Sequence, residues 1–433
     1  MDKKGRIDAS VNKRKIKMKE INPAPYNPRK DLKPDDVEYR QIEGSLNKYG
    51  LVELLVWNER SGNLVSGHQR LKVLIQNGCE EVDVSVVNLD PEDEKTLNIV
   101  LNKVQGMWDD RKLAILLGEF TKSPTFNIGD IGFDFPEVSK LLDRYQQGRE
   151  DDFNADAVAG TIVKTITKQG DVTELGKHRI MCGNSSSTED LGCLMAGGKA
   201  HLVHTDPPYN VAYTGSARPN QNKNPKKARQ WEMIRSDDMP QDEYETLLKE
   251  VFTNMAGVLA PGAAAYIWNG HKNFGSMHSM LEGLGFHVAS VIVWAKPNFG
   301  MSYSDYHEQV EFCLYGWRKD NGAHKWYGPV TESTLWEVKR DPSREYVHPT
   351  QKPVALAQRA IRNSSVRGDI VLDLFLGSGS TLIAAESLGR RCYGMEIDPR
   401  YCDAVIQRYI NFVGATKVPQ ALREKYMTEA AHA

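Results

Sequence analysis

The fold of this chain is decided by the stretch Val371-Leu372-Asp373-Leu374-Phe375-Leu376-Gly377-Ser378-Gly379-Ser380-Thr381. Its first part is a short apolar run of the kind that forms a buried strand, and the apolar segment 382–388 that follows predicts a helix. Glycine permits a sharp turn between strand and helix and lets a ligand approach the backbone closely. The stretch therefore predicts a strand–turn–helix unit with a binding site at its turn.

A carboxylate follows this unit at a spacing typical of nucleotide-binding proteins. The segment 391–397 reads as a second strand, and Glu396 lies near its end, about 20 residues after the glycines. At that offset a carboxylate reaches ribose hydroxyls in α/β nucleotide-binding units. We therefore expect a nucleoside-type ligand here, and the alternative is a tight structural turn.

Strand-like and helical segments alternate in the rest of the C-terminal part, from about residue 161. Apolar runs at 202–204, 264–268, 288–294 and 370–375 are separated by amphipathic stretches such as 244–259. This alternation predicts an α/β domain with a mainly parallel sheet that is covered on both faces. Ligands of such sheets bind at the carboxyl ends of the strands.

One of these apolar runs ends in an unusual tetrad, Asp206-Pro207-Pro208-Tyr209. Two prolines remove two amide donors and leave carbonyl groups as acceptors. A carboxylate, carbonyl groups and an aromatic ring can together accept both hydrogens of an exocyclic amine and stack a flat heterocycle. These are the demands of catalysis on a flipped nucleobase. The alternative is a strand that simply ends at proline.

The chemistry that this tetrad suits is alkylation of an amine. The amino nitrogen of a base is a poor nucleophile because its lone pair is delocalised into the ring. Hydrogen bonds from the amine to Asp206 and to the Pro207 carbonyl would favour the tetrahedral nitrogen of the transition state. Attack on a sulfonium methyl group then needs alignment more than acid–base help.

Three motifs resemble those of DNA amino-methyltransferases. Asp206–Tyr209 resembles the catalytic motif, Asp373–Gly379 the cofactor motif, and His348-Pro349-Thr350-Gln351-Lys352-Pro353 a motif that precedes the cofactor loop. The catalytic motif comes first, as in the β group of these enzymes, and the likeness covers about residues 168–413. The resemblance implies a Rossmann-like domain with circularly permuted motif order and S-adenosylmethionine as cofactor.

The resemblance also implies roles for single residues. The target base would be held by Asp206, Pro207, Pro208 and Tyr209. The cofactor would be bound by Asn184, Lys352, Asp373, Phe375, Gly377, Gly379, Thr381 and Glu396. Among these, Lys352 and Thr381 would contact the methionine end and Glu396 the ribose. Asn184 departs from the acidic residue usual at the adenine contact, although its amide carbonyl can still accept a hydrogen bond.

The N-terminal part resembles the ParB-like domain. Gly67-His68-Gln69-Arg70 follows an apolar run and opens a predicted helix, as does the phosphate-binding Gly-x-x-Arg turn of that family. The free amides of a helix N-terminus and the Arg70 guanidinium suit a phosphate. The resemblance implies a smaller α+β domain that binds DNA or a nucleotide through Gly67, His68 and Arg70. The alternative is a capped helix with a surface arginine.

We predict four segments: a basic tail (1–20), the ParB-like domain (21–107), a helical connector and linker (108–160) and the methyltransferase domain (161–433). The formal net charge of −2 excludes a protein that binds nucleic acid through overall charge. Local basic patches must do so instead. The tail is one, and the loop after the tetrad, suited to DNA phosphates, is the other, with Arg218, Lys226, Lys227 and Arg229.

Cysteine spacing and hydropathy set the expected compartment. The six cysteines include no Cys-x-x-Cys pair, so neither a zinc site nor a disulfide framework is expected. No apolar run approaches the roughly 18 residues of a membrane-spanning helix. We expect a cytoplasmic, DNA-associated protein without a metal or a membrane partner.

Together these patterns predict an adenine-N6 methyltransferase that acts on double-stranded DNA. Aspartate at position 206 favours adenine, and cytosine-N4 stays the alternative because both targets are exocyclic amines. A second alternative is a DNA-binding ParB-like regulator with a non-catalytic methyltransferase scaffold, which a broken tetrad or glycine loop would indicate; both are intact. RNA is a third candidate substrate, although no recognised element supports it. A homodimer is left open.

Overall fold

The structure is a computed structural model, and it describes residues 11–103, 108–120, 133, 135–145, 150–210, 239–299, 305–319, 322–338 and 352–427. The chain divides into two compact units, Met1–Gln146 and Gln147–Ala433. The division falls inside the segment 108–160, for which the sequence predicts a connector.

The first unit is built on a mixed five-stranded sheet with the order β1-β5-β3-β4-β2. Its elements are β1 (Lys13–Lys17), β2 (Asn22–Pro23), α1 (Val37–Tyr49), β3 (Leu55–Asn58), β4 (Asn63–Ser66), α2 (His68–Gln76), β5 (Glu81–Val87), α3 (Pro91–Lys103), α4 (Asp110–Phe120) and α5 (Phe135–Tyr145). Strand β5 alternates buried valines with more exposed polar residues, so one face of the sheet is apolar. Leu55, Leu64 and Val84 meet beneath it in a fully buried core.

Two parts of the first unit differ from the predicted segments. The sequence predicts a basic tail as far as residue 20, but Lys13–Lys17 forms β1 and pairs antiparallel with β5. The buried Ile16 anchors this edge strand while its basic neighbours stay exposed. Helices α4 and α5, which the sequence predicts as connective, share a small core with Ile99 of α3.

The second unit is an α/β domain on a nine-stranded sheet with the order β12-β10-β11-β9-β8-β13-β14-β7-β6. Its elements are α6 (Ala155–Ala159), β6 (Val172–Leu175), β7 (His178–Cys182), α7 (Thr188–Met195), β8 (Ala200–Thr205), α8 (Gln241–Gly257), β9 (Leu259–Asn269), α9 (Phe274–Gly283), β10 (Phe286–Ala295), β11 (Val310–Arg318), β12 (Leu335–Glu337), α10 (Val354–Ser364), β13 (Ile370–Asp373), α11 (Ser380–Ser387), β14 (Arg391–Glu396), α12 (Pro399–Val413) and α13 (Gln420–Met427). The predicted fold class is confirmed for both units.

Both faces of this sheet are buried. Leu202 and Val371 belong to the core on one face, whereas their chain neighbours Val203 and Leu372 belong to the core on the other. Side chains alternate across a strand, so a strand buried on both faces must be apolar at successive positions. This explains why the continuous apolar runs of the sequence became the central strands.

The central strands β9, β8, β13, β14 and β7 run parallel to one another. Their carboxyl ends consequently lie along one edge of the sheet. Strand β11 runs antiparallel to β9, so its beginning reaches the same edge. Among the helices of the described residues, none is long and apolar enough to cross a membrane.

Candidate active site

The predicted site residues follow the carboxyl ends of adjacent strands. Asp206 comes directly after β8, Asp373 ends β13 and Glu396 ends β14. Hydrogen bonds join these ends laterally: the Thr205 hydroxyl donates to Asp373 at 2.8 Å, and the Gly183 amide donates to the Glu396 carbonyl at 2.9 Å. The structure thus brings the tetrad and the glycine loop to one edge of the sheet.

The side chains of the tetrad form a hydrogen-bonded group with Lys352. The Tyr209 hydroxyl donates to Asp206 Oδ1 at 2.9 Å, and Lys352 Nζ donates to Asp206 Oδ2. Lys352 also donates to the Tyr209 hydroxyl at 3.0 Å, and its Nζ lies 5.3 Å from the centre of the Tyr209 ring. The motif at 348–353 therefore places its lysine on the catalytic tetrad, although residues 348–351 themselves lie outside the described part.

A second carboxylate, Glu311, completes this group. It lies 2.9 Å from Lys352 Nζ and 2.7 Å from Lys296 Nζ, and the Tyr209 hydroxyl is 3.3 Å away. Two carboxylates and two ammonium groups thus share one cluster. Sequence reasoning missed Glu311 and Lys296, since neither lies in a motif. One feature could have indicated them: Lys296 directly follows β10 and Glu311 lies near the start of β11, and these two strands form an antiparallel pair.

The pKa values of the two carboxylates, Asp206 and Glu311, are shifted in opposite directions. Burial raises the pKa of Asp206, the nearby Glu311 charge adds to the increase, and Lys352 opposes it. Burial alone would raise the pKa of Glu311 as well, but Lys352 and Lys296 lower it to about 2. Burial would lower the pKa of Lys352, yet the two carboxylates raise it. Glu311 therefore stays ionised at neutral pH and holds the lysine in its charged form.

The backbone of the tetrad is held by residues of α8 and of the turn that precedes α9. Tyr244 donates to the Pro208 carbonyl at 2.6 Å, and Asn273 donates to the Tyr209 carbonyl at 2.6 Å. No described residue donates to the carbonyl of Pro207. Gly270 lies against the Tyr209 ring, and a Cβ there would be 3.3 Å from ring atom Cδ2. These contacts fix the Tyr209 ring in place.

A buried polar chain links the tetrad strand β8 to helix α11, which follows the glycine loop. Trp268 donates to His204 Nε2 at 3.0 Å, and His204 Nδ1 lies 3.1 Å from the Thr381 hydroxyl. Burial lowers the pKa of His204 to about 3, so its ring is neutral and Nδ1–H donates to Thr381. The Thr381 hydroxyl is thus engaged within the core, with the residue only 3% exposed.

The glycine loop and Glu396 form a cradle. Glu396 Oε2 accepts the Gly377 amide at 2.8 Å, and Oε1 accepts the amides of Ile397 and Asp398, both at 2.9 Å. Gly379 has φ +84°, and a Cβ there would be 2.9 Å from Val405. Burial raises the pKa of Glu396 to about 6. Because Oε2 accepts a single amide from the described residues, it keeps capacity for a ribose hydroxyl, so the donor and acceptor set fits a nucleoside.

The loop after β7 closes this cradle. The Asn184 amide donates to Asp190 at 2.7 Å, and the Asn184 side-chain oxygen accepts the Ser186 amide at 3.1 Å. Ser185 donates to the Leu374 carbonyl and so ties this loop to the glycine loop. Asn184 itself is partly exposed, as an adenine contact requires.

Three residues predicted to bind the cofactor, Lys352, Thr381 and Asp373, have side chains that contact other groups of the protein. The Lys352 ammonium lies on the tetrad and the Thr381 hydroxyl on His204. Asp373 is 4% exposed, and its carboxylate accepts Thr205 and the Phe375 amide, the latter at 3.1 Å. Their contacts with a cofactor stay predictions. Phe375 is partly exposed beside the cradle.

In the first unit, Gly67 adopts φ +97° immediately before α2. The Arg70 guanidinium contacts Glu53 at 2.6 Å and donates to the Glu53 carbonyl at 2.8 Å. His68 Nε2 accepts the Ala24 amide at 3.3 Å, and burial lowers its pKa to about 4. A phosphate at this turn would therefore compete with Glu53 for Arg70. The predicted DNA contacts Arg218, Lys226, Lys227 and Arg229 lie outside the described residues.

Comparison with known proteins matches each unit to a family. Residues 200–407 match the family described as DNA methylase, and residues 2–103 match the ParB N-terminal domain. The Type II methyltransferase M2.DpnII of Streptococcus pneumoniae is 28% identical over 219 residues, which cover 46% of this chain and 78% of that protein. M2.MboI of Moraxella bovis is 28% identical over 167 residues, 35% of this chain and 60% of that protein. Among solved structures, the M1.HpyAVI–SAM complex is 25% identical, with 53% of this chain and 98% of that chain covered and a TM-score of 0.39.

The tetrad, the glycine loop and their order on a mainly parallel sheet define the class, a DNA amino-methyltransferase. Residues 200–407 are similar to the DNA methylase family of N6 and N4 amino-methyltransferases, and a segment similar to the ParB N-terminal domain precedes them. The family predicted from the three motifs is confirmed.

Proposed function

We propose that this protein transfers a methyl group from S-adenosylmethionine to the N6 amine of adenine in double-stranded DNA. The observation that carries the proposal is the pair of acceptors after β8. Asp206 offers a carboxylate, and the Pro207 carbonyl has no donor among the described residues, whereas the next two carbonyls are occupied. An amine with two hydrogens matches this pair.

The tetrad can receive the amine without losing its own contacts. Each carboxylate oxygen accepts about two hydrogen bonds, and Asp206 uses one site on Oδ1 for Tyr209 and one on Oδ2 for Lys352. An amine hydrogen can occupy a remaining site. The second hydrogen would bond to the Pro207 carbonyl. The nitrogen lone pair then points away from both acceptors, out of the base plane.

S-adenosylmethionine supplies an electrophilic methyl group when it is bound. The cradle would hold it. Glu396 offers a free acceptor, the glycines allow a close approach to the backbone, and Phe375 and Asn184 are partly exposed beside them, so the residues concerned are Gly377, Gly379, Glu396, Phe375 and Asn184. After the transfer the amine must lose a proton. Asp206 is the carboxylate in contact with it, and its pKa is raised by burial. We assign the acceptance of this proton to Asp206.

Adenine is the preferred target and cytosine-N4 the runner-up. The preference rests on aspartate at position 206, because the amine acceptors suit both bases equally. The DNA phosphates would be gripped by Arg218, Lys226, Lys227 and Arg229 beside the flipped base. We expect the protein to act in the cytoplasm on DNA, and a homodimer remains part of the proposal.

For the ParB-like domain we propose binding of a nucleotide or DNA phosphate at Gly67, His68 and Arg70. The support is the α2 N-terminus with Gly67 at φ +97° and a guanidinium that an exposed glutamate holds in place. Exposed ion pairs are weak, so a phosphate can replace Glu53. Arg70→Ala should weaken this binding and leave methyl transfer on short duplexes intact. Complete loss of transfer would contradict the accessory role.

The deciding experiment is expression of the full chain in a host that lacks adenine methylation, followed by modification-sensitive sequencing of the genome. We expect N6-methyladenine at one recognition sequence, absent with Asp206→Ala and retained with Asp242→Ala, which changes an exposed carboxylate on α8. N4-methylcytosine would establish the runner-up. Unmodified DNA from the intact protein would support the non-catalytic regulator.

A further inference from the structure

The segment 150–167, called the strap here, is fastened to α12 at three points. Asp151 forms a two-point ion pair with Arg408, with Nε–Oδ2 at 2.8 Å and Nη2–Oδ1 at 2.6 Å. Tyr401 donates to Asp156 at 2.8 Å. Asp403 accepts the two strap amides at its far end, those of residues 166 and 167, at 2.7 and 3.0 Å. The acidic, small-residue composition of 148–160 predicts a linker, yet residues 151 and 156 are docked on α12 as part of the second unit.

The helix that carries these anchors also contacts the glycine loop. Arg408 Nη1 donates to the Ser378 carbonyl at 2.8 Å. Val405, almost one turn earlier on α12, packs against Gly379 so closely that no side chain fits there. One guanidinium therefore spans from the strap to the middle residue of the Gly377–Gly379 turn.

Burial makes the Asp151–Arg408 pair important for the orientation of that guanidinium. Arg408 is 1% exposed and the side chain of Asp151 is 12% exposed. A buried arginine needs its charge balanced and its donors satisfied. A planar guanidinium that is held at two nitrogens by one carboxylate has its third nitrogen fixed in direction. Asp151 thus sets the direction of the donor that reaches Ser378.

We propose that Asp151 and Arg408 are positioning residues for the cofactor loop. The strap fixes the guanidinium, and the guanidinium holds the Ser378 carbonyl so that the Gly377–Gly379 turn is preformed for its ligand. This inference rests on the proposed function, because it takes that ligand to be S-adenosylmethionine. Preforming a loop raises affinity by removing the ordering cost of binding.

The test compares two strap carboxylates in the full-length protein. Asp151→Asn weakens the anchor that continues to the loop, and Asp156→Asn weakens an anchor that ends at Tyr401. We expect Asp151→Asn to raise the Kd for S-adenosylmethionine, measured by calorimetry, about fivefold to tenfold, the worth of roughly one ordinary hydrogen bond. Asp156→Asn should stay within about twofold. The KM for the cofactor should follow Kd, while kcat at saturation changes little.

A second variant and a second measurement protect the test from misfolding. Arg408→Lys keeps the charge opposite Asp151 but cannot donate as a fork to both partners, so it should weaken cofactor binding similarly. Amide exchange of residues 377–380 in the absence of ligand should rise in both variants and not in Asp156→Asn. If wild type binds the cofactor and Asp151→Asn binds equally well, or if Asp156→Asn weakens binding as much, the positioning role is wrong. If wild type fails to bind S-adenosylmethionine, the proposed function itself is wrong.

Discussion

The Lys352 ammonium lies 2.9 Å from Glu311 while it also donates to Asp206. Lys352 is therefore shared between the motif aspartate and a carboxylate that belongs to no motif. The two acids differ: the pKa of Glu311 is held at about 2 by two lysines, whereas that of Asp206 is raised by burial. Glu311 acts as the fixed countercharge, which leaves Asp206 able to respond to a substrate.

Glu311→Gln should lower kcat by about tenfold to a hundredfold, because Lys352 and Lys296 would then compete for Asp206 and draw it away from the amine. Single-turnover methyl transfer on a short duplex measures this effect. Glu308→Gln is the matched control, since that side chain is 54% exposed and forms an ion pair only with His271 among the described residues. Equal rates for the two variants would contradict the role of Glu311.

Lys352→Met should move the acid limb of the pH–rate profile to higher pH. The ammonium lowers the pKa of Asp206 against the effects of burial and Glu311, so its removal raises that pKa further. Asp206 accepts the amine as a carboxylate, and activity would then be lost at a higher pH, by about one unit or more. The profile of kcat/KM between pH 5 and 9 tests this, with exposed Lys272→Met as control. An unshifted acid limb would be inconsistent with the contact.

The Asp373→Asn variant should gain stability relative to the wild type as the pH rises. Burial raises the pKa of Asp373 from its ordinary value of 3.8 to about 6. The folded protein then binds more protons than the unfolded one between these values, so the wild type loses stability as the pH rises through this window, by roughly 2 to 3 kcal/mol. The difference in Tm, variant minus wild type, should increase from pH 4.5 to pH 7. A pH-independent difference would contradict it, and exposed Asp152→Asn provides the comparison.

Gly270→Ala should impair use of the DNA substrate. A Cβ at this position would be 3.3 Å from the Tyr209 ring. The backbone of Tyr209 is already held by Asn273, which donates to its carbonyl. In a close-packed site the ring must shift, and we expect kcat/KM for DNA to fall about tenfold. Gly275→Ala, with no atom within 4 Å of the added Cβ, is the control. Unchanged kinetics in Gly270→Ala would show that the ring position is not critical.

Gly67→Ala should destabilise the ParB-like domain by more than the strain of a left-handed residue alone, about 1 kcal/mol. Its Cβ would be 2.4 Å from a methyl group of Leu55, which is fully buried. Gly78→Ala provides the matched control, because φ there is +74° and no atom lies within 4 Å. Denaturant unfolding should give a clearly lower midpoint for Gly67→Ala. Equal midpoints for the two variants would mean that the Leu55 side chain can move aside without lowering the free energy of unfolding.

The sequence alone predicts the parts of the site that local patterns encode. Asp206 and Glu396 were expected at strand ends because each follows an apolar run, and a parallel sheet brings such ends together. Glu311 could not be predicted in this way, since its place depends on β11 running antiparallel to β9. Lys352 was expected at the site from its motif, but no local rule indicates that its ammonium turns to the tetrad.

The positions of the strap and of β1 could likewise not be predicted from local sequence patterns. An acidic or basic run with few apolar residues has the composition of a solvated segment. Both are nevertheless held by residues far along the chain: the strap by α12, through contacts such as Asp151 with Arg408, and β1 by β5 and the core around Ile16. Pairings of this kind arise from tertiary topology and leave no periodic signal.

The hydrogen bond from Thr205 to Asp373 joins residues 168 positions apart in the chain. It lies between neighbouring parallel strands, so the tetrad and the cofactor loop are linked by the sheet and not by the segments that connect them. A gene that was cut and rejoined in another order would still encode adjacent strand ends. The reaction therefore depends on this lateral contact and not on the order of the motifs along the chain.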